Sequence, residues 1–158
     1  MSWIIEQRPW DDRAGVALRA AQRAELDARY GGDDHEPGTP PSAADIDVFM
    51  VAVDAYGQPI GCGALRRLDA DSAEIKRMYV APAGRGTGVS TAILRALESA
   101  ASERGCTTIR LETGLAQPDA MRFYEREGYR EIPLFGAYIG SDVSVCYERI
   151  LTERAIRR

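Results

Sequence analysis

The chain has 158 residues, 45% of them hydrophobic and 28% charged, with a formal net charge of −4. This suits one globular domain spanning residues 1–158 with a respectable core, and the acidic balance argues against a nucleic-acid partner, which asks for a basic face. The three cysteines, Cys62, Cys106 and Cys146, form no Cys-x-x-Cys pair and there is one histidine, so no metal site is expected and the thiols read as reduced residues of a cytoplasmic protein. No charged start with an apolar block opens the chain, and no apolar run nears a membrane span, so no membrane partner is expected either.

Ser2 to Arg8 reads as an edge strand, closed by Pro9. Trp10 to Tyr30 is rich in helix formers, with Ala17, Ala20, Ala21, Ala24 and Ala28 on one small-residue stripe, and Gly31-Gly32 ends it. Gly31 to Pro41 is polar and rich in Gly, Pro and Asp, which predicts a loop; its His35 reads as a solvated side chain. The apolar run Val48 to Val53 predicts a strand buried on both faces. Tyr56-Gly57-Gln58-Pro59 turns into a strand from Ile60 to Leu68, and Asp69 to Asp71 turns again into Ser72 to Val80. Two turns at hairpin distance imply an antiparallel meander.

A helix then runs from Val89, with Ile93 and Leu97 at spacings of four, to its end at Gly105. Thr107 to Thr113 alternates Ile109 and Leu111 with Thr108, Arg110 and Glu112. Because a helix separates this strand from Ser72–Val80, the two should run parallel. Gln117-Pro118-Asp119 opens a further helix with Pro at its first position, and Gly128 stops it. Tyr129 to Ile132 and Val143 to Ile150 finish as strands joined by the loop 133–138, and the Glu153–Arg158 tail reads as frayed.

The stretch around which the rest is arranged is Met78 to Ser90, where a strand feeds the loop Gly84-Arg85-Gly86-Thr87-Gly88 and then a helix. The first N–H groups of a helix have no internal partner, and the dipole adds about half a positive charge there, so this geometry binds phosphate. Gly86 and Gly88 let the amides approach an anion with no Cβ in the way. Arg85 can add a charge-assisted contact. The loop is not a Walker A, which needs Lys then Ser/Thr where Val89-Ser90 stand, and it lacks the third glycine of a dinucleotide fingerprint.

Read as Arg85-x-x-Gly88-x-Ser90, the loop resembles the Arg/Gln-x-x-Gly-x-Gly/Ala signature of the GNAT acetyltransferase superfamily, with Ser90 where Gly or Ala is usual. Leu111-Glu112-Thr113-Gly114-x-x-Gln117-Pro118-Asp119-Ala120-x-x-Phe123-Tyr124-Glu125-x-x-Gly128-Tyr129 looks like the second conserved block of bacterial GNAT enzymes. The continuation Ile132-Pro133-x-Phe135-Gly136-x-Tyr138, then Ser144-Val145-Cys146, resembles a bacterial small-molecule-type branch described as N-acetyltransferases. The element order, βααβββαβαββ at its fullest, is also the family's, although residues 42–46 offer the second early helix little more than a turn. The resemblance implies a mixed α/β fold, a mostly antiparallel sheet of six to seven strands with helices on both faces. It implies acetyl-CoA as cosubstrate and direct transfer of an acetyl group, in a ternary complex, to the primary amine of a small molecule by a monomer or homodimer. The competing functions are acetylation of a protein lysine or N-terminus, and a coenzyme A-binding sensor that does not catalyse.

Site residues follow from the same resemblance. Met78 and Val80 would offer backbone groups to the pantetheine, with the Met78 N–H a candidate oxyanion donor. Amides of Gly86, Gly88, Val89 and Ser90, with Arg85, would hold the pyrophosphate. Tyr124 stands where the family's general acid stands; the plain alternative is a ring packed beside Phe123. Glu74 is the candidate base, four residues before Met78 and so on its face by period two, or else a carboxylate paired with Lys76 or Arg67. Glu112 is the reserve base. Gln117 would contact the pantetheine or fix the helix start. The acceptor pocket is expected from Arg29, Tyr30, Phe135, Tyr138 and His35, where Arg29 could receive a carboxylate or simply favour its helix dipole.

Overall fold

The computed structural model describes residues 2–32 and 37–151, so His35 and the Glu153–Arg158 tail lie outside the described residues. Seven strands form one sheet: β1 (Trp3–Gln7), β2 (Val48–Asp54), β3 (Pro59–Arg67), β4 (Ser72–Val80), β5 (Thr108–Gly114), β6 (Arg130–Ile132) and β7 (Ser144–Ile150). Their spatial order is β1-β2-β3-β4-β5-β7-β6. Every neighbouring pair is antiparallel except β4 and β5, which run parallel because α2 (Val89–Glu103) connects them. The remaining helices are α1 (Arg13–Tyr30) and α3 (Pro118–Arg126). Residues 43–45 form a turn, so among the described residues a single helix precedes β2 where the fullest sequence order has two.

α2 and α3 cover one face. Val89, Ile93, Leu94 and Leu97 of α2 are fully buried there against Ala73, Ile75, Ile109 and Leu111, and Tyr124 of α3 joins them. Each such aliphatic side chain stabilises the fold by about 1.5–3 kcal/mol relative to exposure. On the opposite face α1 lays Gly15 and Leu18 over Phe49, Val51 and Cys62. α1 begins later than Trp10, because the Asp12 carboxylate accepts from the Gly15 N–H at 3.1 Å and caps it. Its alanine stripe, Ala17 to Ala28, faces solvent.

Two irregularities shape β4. Ala64 pairs with Lys76 and Cys62 with Tyr79, so Arg77 and Met78 together oppose Gly63 in a bulge. Arg77 carries it with φ +57, a left-handed conformation that costs a side-chain-bearing residue about 1–2 kcal/mol. Further, β4 pairs with β5 only from Ser72/Thr108 to Ile75/Leu111, although the strands run on to Val80 and Gly114. Beyond Ile75 the sheet opens into a gap.

Candidate active site

The bulge decides which groups meet at the gap. Alternation along β4 breaks at Arg77, so Met78 packs with Ile75 on the α2 face and does not share a face with Glu74, as strict period two predicts. The Ala81 N–H donates to Ile60 O on β3, so alternation turns the N–H and C=O of Met78 and Val80 toward the gap. Gln22 Nε2 of α1 donates to Met78 O at 3.0 Å, and Arg85 Nε donates to Val80 O at 2.9 Å. Gln22 Oε1 is itself buried, with no partner among the described residues.

At the far end of this edge, Pro82–Gly84 forms a 3-10 turn and the Thr87 hydroxyl donates to Gly84 O at 2.6 Å. Gly86 and Gly88 hold φ +76 and +90, so glycine is needed at both for the backbone path itself. Gly88 is the N-cap of α2 and no side chain caps that helix, so its first amides face outward. Val89 buries its side chain in the core while Ser90 lines the groove. The Arg85 guanidinium reaches Glu25 of α1 at 2.7 Å. Arg29 pairs with the same Glu25 at 3.9 Å and lines this groove rather than the pocket beyond the gap.

Tyr124 closes the gap from the α3 side. Its ring lies 5.1 Å from Phe123, 5.8 Å from Tyr129 and 6.4 Å from Tyr147. The other two tyrosine hydroxyls are engaged, Tyr129 to Glu98 and Tyr147 to Glu125, each at 2.8 Å. The Tyr124 hydroxyl has no such partner among the described residues, and burial pushes its pKa up. Gln117 stands at the N-cap of α3 without capping it; its Nε2 donates to the Tyr30 hydroxyl at 3.3 Å. That hydroxyl lies so close over Gly114 that a Cβ there would overlap it.

Beyond the gap, on the α1 side, a pocket is lined by Arg19, Gln22, Tyr30, Arg77, Glu112 and Gln117 among others. Glu112 accepts from the Ser144 hydroxyl at 2.7 Å and faces both gap and pocket. Glu74 lines neither. Arg66 Nη2 reaches its Oε1 at 2.9 Å, the Tyr138 hydroxyl donates to its Oε2 at 2.6 Å, and Lys76 Nζ lies 3.9 Å away. The cations on Glu74 are thus Arg66, its cross-strand neighbour, and Lys76, as the sequence suggests, and not Arg67, which binds the carbonyls of Asp69, Ala70 and Arg104. Tyr138 also accepts from Lys76 at 2.8 Å, and Phe135 packs edge-on against it at 5.3 Å, so both belong to this buried cluster.

Residues 16–129 match the model of the Acetyltransferase (GNAT) family. The chain belongs to the GNAT family of acetyltransferases. It is 30% identical over 107 residues to the IAA acetyltransferase of Azospirillum brasilense, covering 66% of this chain and 69% of that one. To the amino-acid acetyltransferase of Mycobacterium tuberculosis it is 34% identical over 89 residues, covering 55% of this chain and 48% of that one. Its fold superposes on a "putative acyl-CoA N-acyltransferase" of Klebsiella pneumoniae with a TM-score of 0.81 at 31% identity, over 94% of this chain and 97% of the other. A GNAT acetyltransferase of Elizabethkingia anophelis, solved with acetyl-CoA bound, shares the fold at a TM-score of 0.69 and 16% identity, over 94% and 98%.

In this GNAT chain the pocket-lining residues that sequence reasoning missed are Arg19, Gln22 and Arg77. Arg19, Gln22, Arg23, Leu26 and Tyr30 recur at spacings of three and four on α1, the helical signature of one face. That face is polar, so a search for apolar periodicity passes over it. Among the described residues no helix is long and apolar enough to cross a membrane, and no group of His, Cys, Asp and Glu is arranged to hold a metal ion.

Proposed function

We propose that this GNAT chain transfers an acetyl group from acetyl-CoA to the amine of a small molecule, directly, with both substrates bound. The observation that carries this reading is one continuous line of groups. It runs from the uncapped N-terminus of α2, along the Met78–Val80 edge of β4, to the Tyr124 hydroxyl in the gap. These residues fit the cosubstrate: outward amides of Gly88, Val89 and Ser90 with Arg85 suit a diphosphate, and an open strand edge suits the amides of a pantetheine arm. The acetyl thioester is the electrophile that acetyl-CoA supplies. Arg85 turns from Glu25 to the diphosphate at small cost, because an ion pair between half-exposed side chains is worth about 0–1 kcal/mol.

The chain's own groups divide the chemistry. Glu112 orients the acceptor nitrogen and takes its proton as the N–C bond forms and the nitrogen becomes acidic. The Met78 N–H donates to the carbonyl oxygen as negative charge gathers there. Tyr124 gives its proton to the sulfur as the C–S bond breaks; burial keeps the phenol protonated until then. The base is assigned to Glu112 because Glu74 is held by Arg66 and Tyr138 away from the gap. Glu74 instead fixes the 3-10 turn Gly136–Tyr138 against β4. The pocket beyond the gap encloses about 70 Å³ among the described residues, which suits a compact acceptor. A panel of small amines, assayed for thiol release from acetyl-CoA, tests the reading. Amine-dependent release with a recoverable N-acetyl product is expected; coenzyme binding without any amine-dependent release would overturn it.

A further inference from the structure

We infer that the acceptor carries a carboxylate beside its amine, an amino acid or close amino-carboxylate, with Arg19 and Arg77 receiving the carboxylate and Glu112 the amine. This rests on the acetyl-transfer reading and goes further, because it names the class of acceptor. Three guanidinium groups, of Arg19, Arg23 and Arg77, line the pocket beyond the gap, and Glu112 is the single carboxylate among its described lining residues. Glu112 and Arg77 also line the gap, where the nitrogen must meet the thioester, whereas Arg19 and Arg23 line the pocket alone, so positive charge extends from the gap to the depth of the pocket while the carboxylate stays at the gap.

Arg19 is built to hold its charge in place. Its guanidinium stacks 3.6 Å from the Trp10 ring centroid and 4.9 Å from that of Phe49, and Nη2 donates to Trp10 O at 2.7 Å. The other nitrogen, Nη1, is buried beside Gly15 with no partner among the described residues, so the stack and the Trp10 carbonyl alone fix the charge of a side chain that lines the pocket. Burial, with the positive charge of Arg77 nearby, lowers the Arg19 pKa, and a bound anion offsets both effects. Arg77 reaches the pocket from the bulge at φ +57, a strained conformation of the kind that persists at binding sites. Arginine suits a carboxylate because its planar fork matches both oxygens.

The test compares L-amino acids with their own carboxamides and decarboxylated amines, under saturating acetyl-CoA, by thiol release. The acids should exceed their amides in kcat/KM by about 10- to 100-fold, the worth of a charge-assisted pair. Arg19→Gln should bring that ratio to near one by raising KM for the acids, and Arg19→Lys should give an intermediate ratio, since it keeps the charge but loses the fork. Should Arg19→Gln fail to fold once its packing on Trp10 is lost, Arg77→Asn serves, because asparagine tolerates the left-handed backbone. Calorimetry of the same acids and amides, with protein saturated in coenzyme A, separates the two readings. If no amine reacts yet the acids bind in an Arg19-dependent way, the carboxylate subsite stands and the transfer reading falls. Amides that react as fast as acids, or acids that neither react nor bind better than amides, overturn the subsite.

Discussion

α2 and α1 lie on opposite faces of the same sheet, yet α2 buries Val89, Ile93, Leu94 and Leu97 completely while α1 buries only Gly15 and Leu18. α2 gives the sheet a sealed apolar face. α1 turns Arg19, Gln22 and Tyr30 toward the cleft and leaves its alanines to solvent. The two helices therefore divide stability from recognition. Only at its first turn does α2 take part in the groove, through the amides that follow Gly88.

The sharpest way to test that division is to remove function without touching the sealed face's packing. Tyr124→Phe deletes one hydroxyl and keeps the ring among Phe123, Tyr129 and Tyr147. We expect kcat to fall by about 10²–10⁴, with coenzyme affinity and thermal midpoint nearly unchanged. The converse is Leu97→Ala on the sealed face, expected to cost about 2–5 kcal/mol in urea unfolding while the folded fraction keeps its kcat. A larger loss of kcat than of folded protein would show that the two faces are coupled.

At the mouth of the groove the effects are smaller. Arg85→Ala should weaken coenzyme binding by about 1.5–3 kcal/mol in calorimetry and raise its KM with little change in kcat. Glu25→Gln releases the same guanidinium from its ion pair and should tighten coenzyme binding by less than about 1 kcal/mol. The smallest effect under ordinary conditions is alkaline. Burial pushes the phenols of Tyr124, Tyr129 and Tyr147 up, the last two further through Glu98 and Glu125. The unfolded chain releases these protons near the ordinary value of about 10 and the native chain holds them, so stability is full below that pH and falls as pH rises above it. Tyr129→Phe should flatten that decline in alkaline melts.

The architecture was legible because it is written in hydrophobic period. The apolar run of β2, the alternation of β5 and the Val89-Ile93-Leu97 spacing each fix an element, and the helix between β4 and β5 fixes their parallel pairing. Gly86 and Gly88 marked the loop for the same reason: punctuation by glycine is visible without contacts. What stayed hidden depends on tertiary neighbours. Nothing in Lys76-Arg77-Met78 announces a bulge, and with strict alternation assumed, Glu74 was set on the face of Met78. Nor can sequence tell that Arg66, directly across the strand pair, holds that carboxylate. The acceptor side was sought at the end of α1 and in the loop 133–138. Tyr30 does line the pocket, while Arg29, Phe135 and Tyr138 find other partners.

The gap between β4 and β5 also parts the sheet at one end, while the core beneath α2 runs on across it through Ile109, Leu111 and Tyr124. β1 to β4 pack under α2, and β5 and β6 contact α3, the two halves of the sheet being joined by the four residue pairs from Ser72/Thr108 to Ile75/Leu111. Away from the mouth, Glu98 ties α2 to Tyr129 and Arg149, and Arg95 ties it to Glu127. The sheet has the form of a clothes-peg, closed at the ladder and open at the jaws. A molecule lying along the Met78–Val80 edge bridges the jaws as an extra strand would, so amide exchange should slow on both sides of the opening together while the sealed core hardly registers the event.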